Sequence, residues 1–108
     1  MSLEATIEAK IASKKVIVYS KTYCPFCSKA KKVFDKYLKD GHGTLKADEY
    51  EVIEIENDPQ CSAIQDYMKK KTGASSVPRV FINGNFIGGG DDVVRKDSSG
   101  ELKSLLTA

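Results

Sequence analysis

The stretch Lys21-Thr22-Tyr23-Cys24-Pro25-Phe26-Cys27 sits between two segments of different periodicity. Before it runs Val16-Ile17-Val18-Tyr19, apolar and mostly β-branched, too short for a helix and suited to a buried strand. After it, Ala30, Val33, Phe34, Tyr37 and Leu38 recur at i, i+3, i+4, i+7 and i+8, with Lys29, Lys31, Lys32, Asp35, Lys36 and Lys39 on the opposite face. That pattern predicts an amphipathic helix that begins at Pro25 and ends near Gly41. The two cysteines therefore fall at a strand-to-helix junction. Cys24 lies where free backbone N–H groups and the positive end of the helix dipole favour a thiolate, and Lys21 adds a nearby cation. Cys27 follows one helical turn later, placing the two Cα atoms about 5 Å apart, within the range a disulfide accepts.

Working outward, Leu3, Ile7 and Ile11 predict a first helix, and residues 40–48, with Gly41-His42-Gly43, read as a loop. Tyr50, Val52, Ile53 and Ile55 form a second strand. Asp58-Pro59 supplies a capping acid followed by proline at the first helical position, opening a helix with Ile64, Tyr67 and Met68 that ends at Thr72-Gly73. Val80-Phe81-Ile82 and Phe86-Ile87 flank Asn83-Gly84-Asn85, a hairpin signal. Gly88-Gly89-Gly90 follow, Asp91-Asp92 open another helix, and Leu102, Leu105 and Leu106 mark a last short one. The order αβαβαββα, with a final helix, implies a mixed central sheet covered by helices on both faces. No repeat or linker interrupts it, so one domain spanning residues 1–108 is expected.

At 108 residues, with 41% apolar and 30% charged side chains, the chain can bury about two-thirds of its unfolded surface and needs no staples. Three cysteines do not make a secreted disulfide framework, so a reducing compartment and a cytoplasmic location are expected. The amino terminus lacks a basic region followed by an apolar stretch, and no apolar run is long enough for a membrane span. The net charge of +2 conceals a segregation: residues 10–46 carry ten Lys against Asp35 and Asp40, a local +8, whereas residues 47–66 carry seven acids and no base. Without an Arg cluster, Trp or interleaved aromatics, this is not the signature of a nucleic-acid binder. Zinc would require two more ligands beside the pair, and Cys61 and His42 are isolated, so no metal is expected.

A redox dithiol remains. Lowering a thiol pKa costs nucleophilicity as it raises the thiolate fraction, so its main benefit is in leaving a mixed disulfide. That logic makes Cys24 the nucleophile and leaving group, and Cys27 the resolving thiol.

Three motifs in order, Thr22-Tyr23-Cys24-Pro25-Phe26-Cys27, Ser76-Val77-Pro78 and Gly88-Gly89-Gly90-Asp91-Asp92, resemble those of a dithiol glutaredoxin, a similarity covering nearly the whole chain. The resemblance implies the thioredoxin fold, with a four-stranded sheet in three α/β/α layers. It also implies a glutathione-dependent thiol–disulfide oxidoreductase acting on protein disulfides and glutathione mixed disulfides, as a monomer. By the same resemblance Cys24 carries the mixed disulfide, and Lys21 and Gln65 match positions contacting the glycine carboxylate of glutathione. Val77 matches the residue whose backbone pairs with the glutathione cysteine, Pro78 the cis-proline facing the dithiol, and Asp91 and Asp92 the group holding the γ-glutamyl end. Chemistry agrees: a helix start suits the γ-glutamyl carboxylate, and an acid beside it can pair with the ammonium. Phe26 stands where the family commonly has Tyr, and Ser76 where Thr is common. Cys61 lies outside the dithiol, as a small buried or half-buried residue.

Two other functions fit a dithiol on this frame. A [2Fe–2S] carrier would ligate its cluster with Cys24 of two subunits and two glutathiones, but such relatives typically have Ser or Gly at the position of Pro25. A thioredoxin-type reductase would carry Gly-Pro in place of Pro25-Phe26.

Overall fold

The computed structural model describes residues 2–39 and 44–108. The expected loop around His42 and the helix end near Gly41 fall outside the described residues. The elements are α1 (Leu3–Ser13), β1 (Val16–Ser20), α2 (Pro25–Lys39), a 3-10 turn (Ala47–Glu49), β2 (Tyr50–Glu54), α3 (Cys61–Thr72), β3 (Arg79–Ile82), β4 (Asn85–Gly88), α4 (Gly90–Ser99) and α5 (Glu101–Thr107). Four strands form one sheet in the order β2-β1-β3-β4. β1 runs parallel to β2, with Val16 opposite Tyr50 and Ser20 opposite Glu54, and antiparallel to β3, with Val16 opposite Ile82 and Tyr19 opposite Arg79.

Every residue of β1 is buried, as its β-branched sequence requires of a strand covered on both faces. Alternation then sends its side chains into two cores. Val16 and Val18 join Val80 and Ile82 under Ala30, Val33 and Phe34 of α2, Val93 of α4, and Leu102 and Leu106 of α5. Ile17, Tyr19 and Phe81 face Ile7 and Ile11 of α1 and Ile64 and Met68 of α3. Helices on both faces of a mixed sheet are what the order of periodicities predicts.

Asn83 and Gly84 both adopt positive φ, 52° and 82°, as a tight hairpin turn matched to strand twist demands. The predicted start of α3 is shifted. Asp58 does not cap a helix at Pro59. Its Oδ1 instead accepts the Gln60 N–H at 2.7 Å and its carbonyl accepts the Cys61 N–H at 3.0 Å, closing a turn from which the helix starts at Cys61. An acid before a proline serves either purpose, and here the turn wins. The segment read as loop up to Asp48 also contains the 3-10 turn, held by Glu49 Oε1 accepting the Lys46 N–H at 2.9 Å. Ile55 lies just past β2, yet it is buried and its N–H donates to the Ser20 carbonyl at 2.9 Å, prolonging the ladder by one bond.

The charge segregation resolves into pairs between neighbouring strands and their flanks. Lys10 meets Glu51 at 3.1 Å, Lys15 meets Glu49 at 3.4 Å and Lys31 meets Glu54 at 2.5 Å. No described helix is long and apolar enough to cross a membrane.

Candidate active site

The carboxyl end of β1 delivers the chain to Cys24, which occupies the N-cap position of α2: its carbonyl accepts the Ser28 N–H at 3.0 Å. Its sulfur does what an oxygen does at most helix starts, since Sγ accepts the Cys27 N–H at 3.3 Å. The same sulfur lies 3.5 Å from the Val77 carbonyl, to which the thiol donates. Two motifs separated by fifty residues thus meet at one atom. Val77 is joined to Pro78 by a cis peptide bond, at the entry to β3.

Cys27 is fully buried, and both cysteines of the pair are free thiols. Burial pushes the Cys27 thiol up to about 11, with its hydrogen bond to Cys24 adding to the rise and contacts at Lys21 and Ser20 opposing it. Cys24 is only half-buried. Around it the surface is apolar and aromatic: Tyr23 is 70% exposed and Phe26 48%. Lys21 Nζ lies 6.0 Å from the Tyr23 ring centre and Lys29 Nζ 5.1 Å from that of Phe26, so both cations rest on rings beside the sulfur.

The other predicted residues are placed as follows. Gln65, on α3, donates through Nε2 to the Ser75 carbonyl at 2.9 Å, which turns it toward the segment leading to Val77. Its Oε1 accepts from the Cys61 thiol at 3.5 Å. Asp92 is already engaged: Oδ2 accepts the Gly89 N–H at 2.9 Å and Oδ1 pairs with Arg95 at 2.5 Å. The Gly89 hydrogen bond first, and then Arg95, hold this carboxyl below its ordinary value. Asp91 is exposed in the first turn of α4, next to Asp92. Gly90 lies so close to α2 that a Cβ there would stand 2.6 Å from the Phe26 carbonyl oxygen. The start of α4 is thereby seated on the first turn of α2.

Two residues absent from the sequence expectations prove to shape this site. Glu56, in the turn after β2, accepts the Thr22 N–H at 3.2 Å and also binds the Thr22 hydroxyl, tethering the loop that leads into Cys24. Within a run of seven acids nothing singles it out. Arg79, at the head of β3, is 9% exposed and donates through Nε to the Pro78 carbonyl at 3.0 Å. A cation inside an otherwise apolar strand is the signal that marks it. Among the described residues no three His, Cys, Asp or Glu side chains gather where they could hold a metal ion.

What this arrangement can do is thiol–disulfide exchange: an accessible sulfur at a helix start, backed by a buried thiol one turn on. Comparison with known proteins points the same way. A family model described as glutaredoxin matches residues 16–87. The chain is 41% identical over 103 residues to Glutaredoxin-C6 of Oryza sativa subsp. japonica, covering 95% of this chain and 84% of that protein. Among solved structures, oxidized glutaredoxin 2 from Chlamydomonas reinhardtii is similar with a TM-score of 0.81 and 48% identity, over 94% of this chain and 88% of that one. A buckwheat glutaredoxin–glutathione complex gives a TM-score of 0.82 and 37% identity, over 95% and 86%.

Proposed function

Because this chain belongs to the glutaredoxin family of thiol–disulfide oxidoreductases, we propose that its substrate is glutathione bound in mixed disulfides, and that Cys24 and Cys27 share the work unequally. The observation that carries this reading is the convergence on Cys24 Sγ of the Cys27 N–H at 3.3 Å and the Val77 carbonyl at 3.5 Å.

The Cys24 thiolate attacks the glutathione sulfur of a glutathionylated thiol. A Cys24–glutathione disulfide forms and the client leaves as thiolate. Free glutathione thiolate then attacks the glutathione sulfur, releasing glutathione disulfide and returning Cys24 as thiolate. With a protein disulfide, Cys24 forms a mixed disulfide with one client sulfur, and Cys27, after losing its proton, attacks Cys24 and expels the client thiolate. The resulting Cys24–Cys27 disulfide is reduced by two glutathiones. At the first turn of α2, N–H groups stabilise the negative sulfur whenever Cys24 is the leaving group.

Glutathione would lie across the exposed face, with its cysteine backbone extended along Val77 and Pro78, its glycine carboxylate toward Lys21 and Gln65, and its γ-glutamyl carboxylate at the α4 start. Since Asp92 is bound to Gly89 and Arg95, Asp91 is the better placed acid for the γ-glutamyl ammonium.

The test couples turnover of a glutathionylated peptide to glutathione reductase and NADPH. Cys24→Ser is expected to lose at least about a thousandfold in rate. Cys27→Ser should stay within about tenfold on glutathione mixed disulfides while losing reduction of protein disulfides. A Cys24→Ser variant that retained activity would refute the assignment.

A further inference from the structure

Arg79 is the one buried charged side chain among the described residues, and no carboxylate pairs with it there. Its partners are neutral and come from separate segments. Nε donates to the Pro78 carbonyl at 3.0 Å, Nη1 to the Thr72 hydroxyl of α3 at 3.3 Å, and Nη2 to the Ser76 hydroxyl at 3.4 Å. The Phe86 ring of β4 lies 5.0 Å from Cζ. On the remaining side is Gly89, where a Cβ would stand 3.2 Å from Nη2 and 3.5 Å from the Pro78 carbonyl oxygen. A buried cation with no carboxylate in direct contact, offset only by the longer-range attraction of Asp92 at the start of α4, is costly, and an apolar side chain could fill the same space more cheaply. What an apolar side chain cannot do is bind three acceptors on one planar fork.

We propose that Arg79 is a positioning residue, which holds Ser76-Val77-Pro78 and the Gly89 turn at a fixed spacing and so sets affinity for the glutathionyl half of the substrate. The assignment rests on the reading of Val77 as the strand that pairs with glutathione. Arg79 bonds to the residues on either side of Val77 and abuts the glycine that opens α4, so it joins the two segments between which glutathione would be stretched. It does not touch Cys24, whose sulfur takes its N–H hydrogen bond from α2. The sulfur also donates to the Val77 carbonyl at 3.5 Å, so loss of the fork loosens that contact, but the Cys27 N–H still holds the sulfur at the helix start and the main effect falls on binding.

The experiment is single-turnover reaction of the reduced protein with excess of one peptide carrying either of two caps, glutathione or free cysteine, on the same thiol. In each case Cys24 thiolate takes the cap as a mixed disulfide and the peptide thiolate is released. The cysteine cap lacks the γ-glutamyl end that the α4 start would hold and the glycine end toward Lys21 and Gln65, and with them the two peptide links by which the cysteine would be stretched along Val77. Arg79→Gln is expected to raise the half-saturating concentration of glutathionylated peptide about tenfold, and Arg79→Lys, which keeps the charge without the fork, about fivefold. Limiting rates should stay within about twofold, and the cysteinylated peptide should react as with wild type. If Arg79→Gln fails to fold, Ser76→Ala removes one acceptor from an exposed loop and should give about a threefold rise. Folded variants with wild-type half-saturation, or with equal losses on both peptides, overturn the Arg79 assignment alone. Wild-type protein that treats both peptides alike overturns the glutathione reading, and the assignment with it.

Discussion

Cys24 and Cys27 have the same side chain three positions apart, and the fold makes them chemically unlike. One is half-buried at a helix cap; the other is sealed, its thiol pushed up to about 11 chiefly by burial. The sign of the pH effect follows: a raised thiol pKa keeps Cys27 protonated at neutral pH, and its thiolate fraction grows about tenfold per pH unit until that value is approached. Release of glutathione from the Cys24 mixed disulfide by Cys27 should accelerate about tenfold for each pH unit from pH 6 to 9, as followed by rapid mixing. A pH-independent release would show that Cys27 is not the proton-limited partner. The residue types of this pair were legible in the sequence, and so was their junction. Their division of roles was legible too, from the helix start at Cys24; the full burial that raises the Cys27 thiol was not, because it depends on what packs around the first turn of α2. Arg79 carries a signal, a cation in an apolar strand, but its burial does not follow from it, since Thr72 of α3, Ser76, Phe86 and Gly89 close around the side chain from separate segments.

Among the elements, α2 and α4 meet most tightly where neither has a side chain to spare. Gly90→Ala would drive a methyl group into the Phe26 carbonyl, and backbone cannot yield as a rotamer can. A loss of about 1–3 kcal/mol is expected, read as a fall in Tm, together with reduced activity because the first turn of α2 must shift. Gly89→Ala meets instead the end of the Arg79 side chain at a tight 3.2 Å and the Pro78 carbonyl at an ordinary 3.5 Å; a side-chain end yields more readily than backbone, so it should cost less in Tm. Equal effects of the two substitutions would contradict this account. The hairpin, both long helices and the central strand follow from periodicity and turn chemistry. The start of α3 does not, since Asp58-Pro59 carries the same local chemistry as a cap or as a turn. Choosing between them depends on where Ile64 and Met68 must land against α1 and the sheet.

At the scale of the whole molecule, the basic and acidic stretches of the sequence meet in part, through Lys10 with Glu51, Lys15 with Glu49 and Lys31 with Glu54. Parallel pairing of β1 with β2 brings residues 16–20 beside 50–54, so several lysines of the first run face acids of the second. Lys21 and Lys29 lie instead on aromatic rings at the active end. On the other face, Asp97 of α4 accepts from Lys36 at 2.6 Å and from Tyr37 at 2.6 Å, joining α2 to α4. Burial raises its carboxyl, but the bonds from Lys36 and Tyr37 outweigh that, and the net shift is downward. A depressed carboxyl contributes stability that is present above its unfolded value and lost as pH falls through the folded one. Asp97→Asn should therefore lower stability near pH 7 by about 1 kcal/mol. The wild-type advantage should fade as pH falls below the ordinary carboxylate range and through the depressed folded-state value, as measured by urea unfolding across pH. An advantage that persisted in acid would exclude this linkage.

The capping role of the Cys24 sulfur ties oxidation state to secondary structure. In a mixed disulfide the sulfur is a poor acceptor, so the Cys27 amide loses a partner worth about 1 kcal/mol at a helix start. The first turn of α2 should then fray more often, and the Cys27 amide should exchange with deuterium about fivefold faster in the glutathionylated protein than in the reduced one. Equal exchange in the two forms would mean that another group takes over the cap. A single backbone proton would thus report, without any chromophore or added thiol reagent, which half of its cycle the protein occupies.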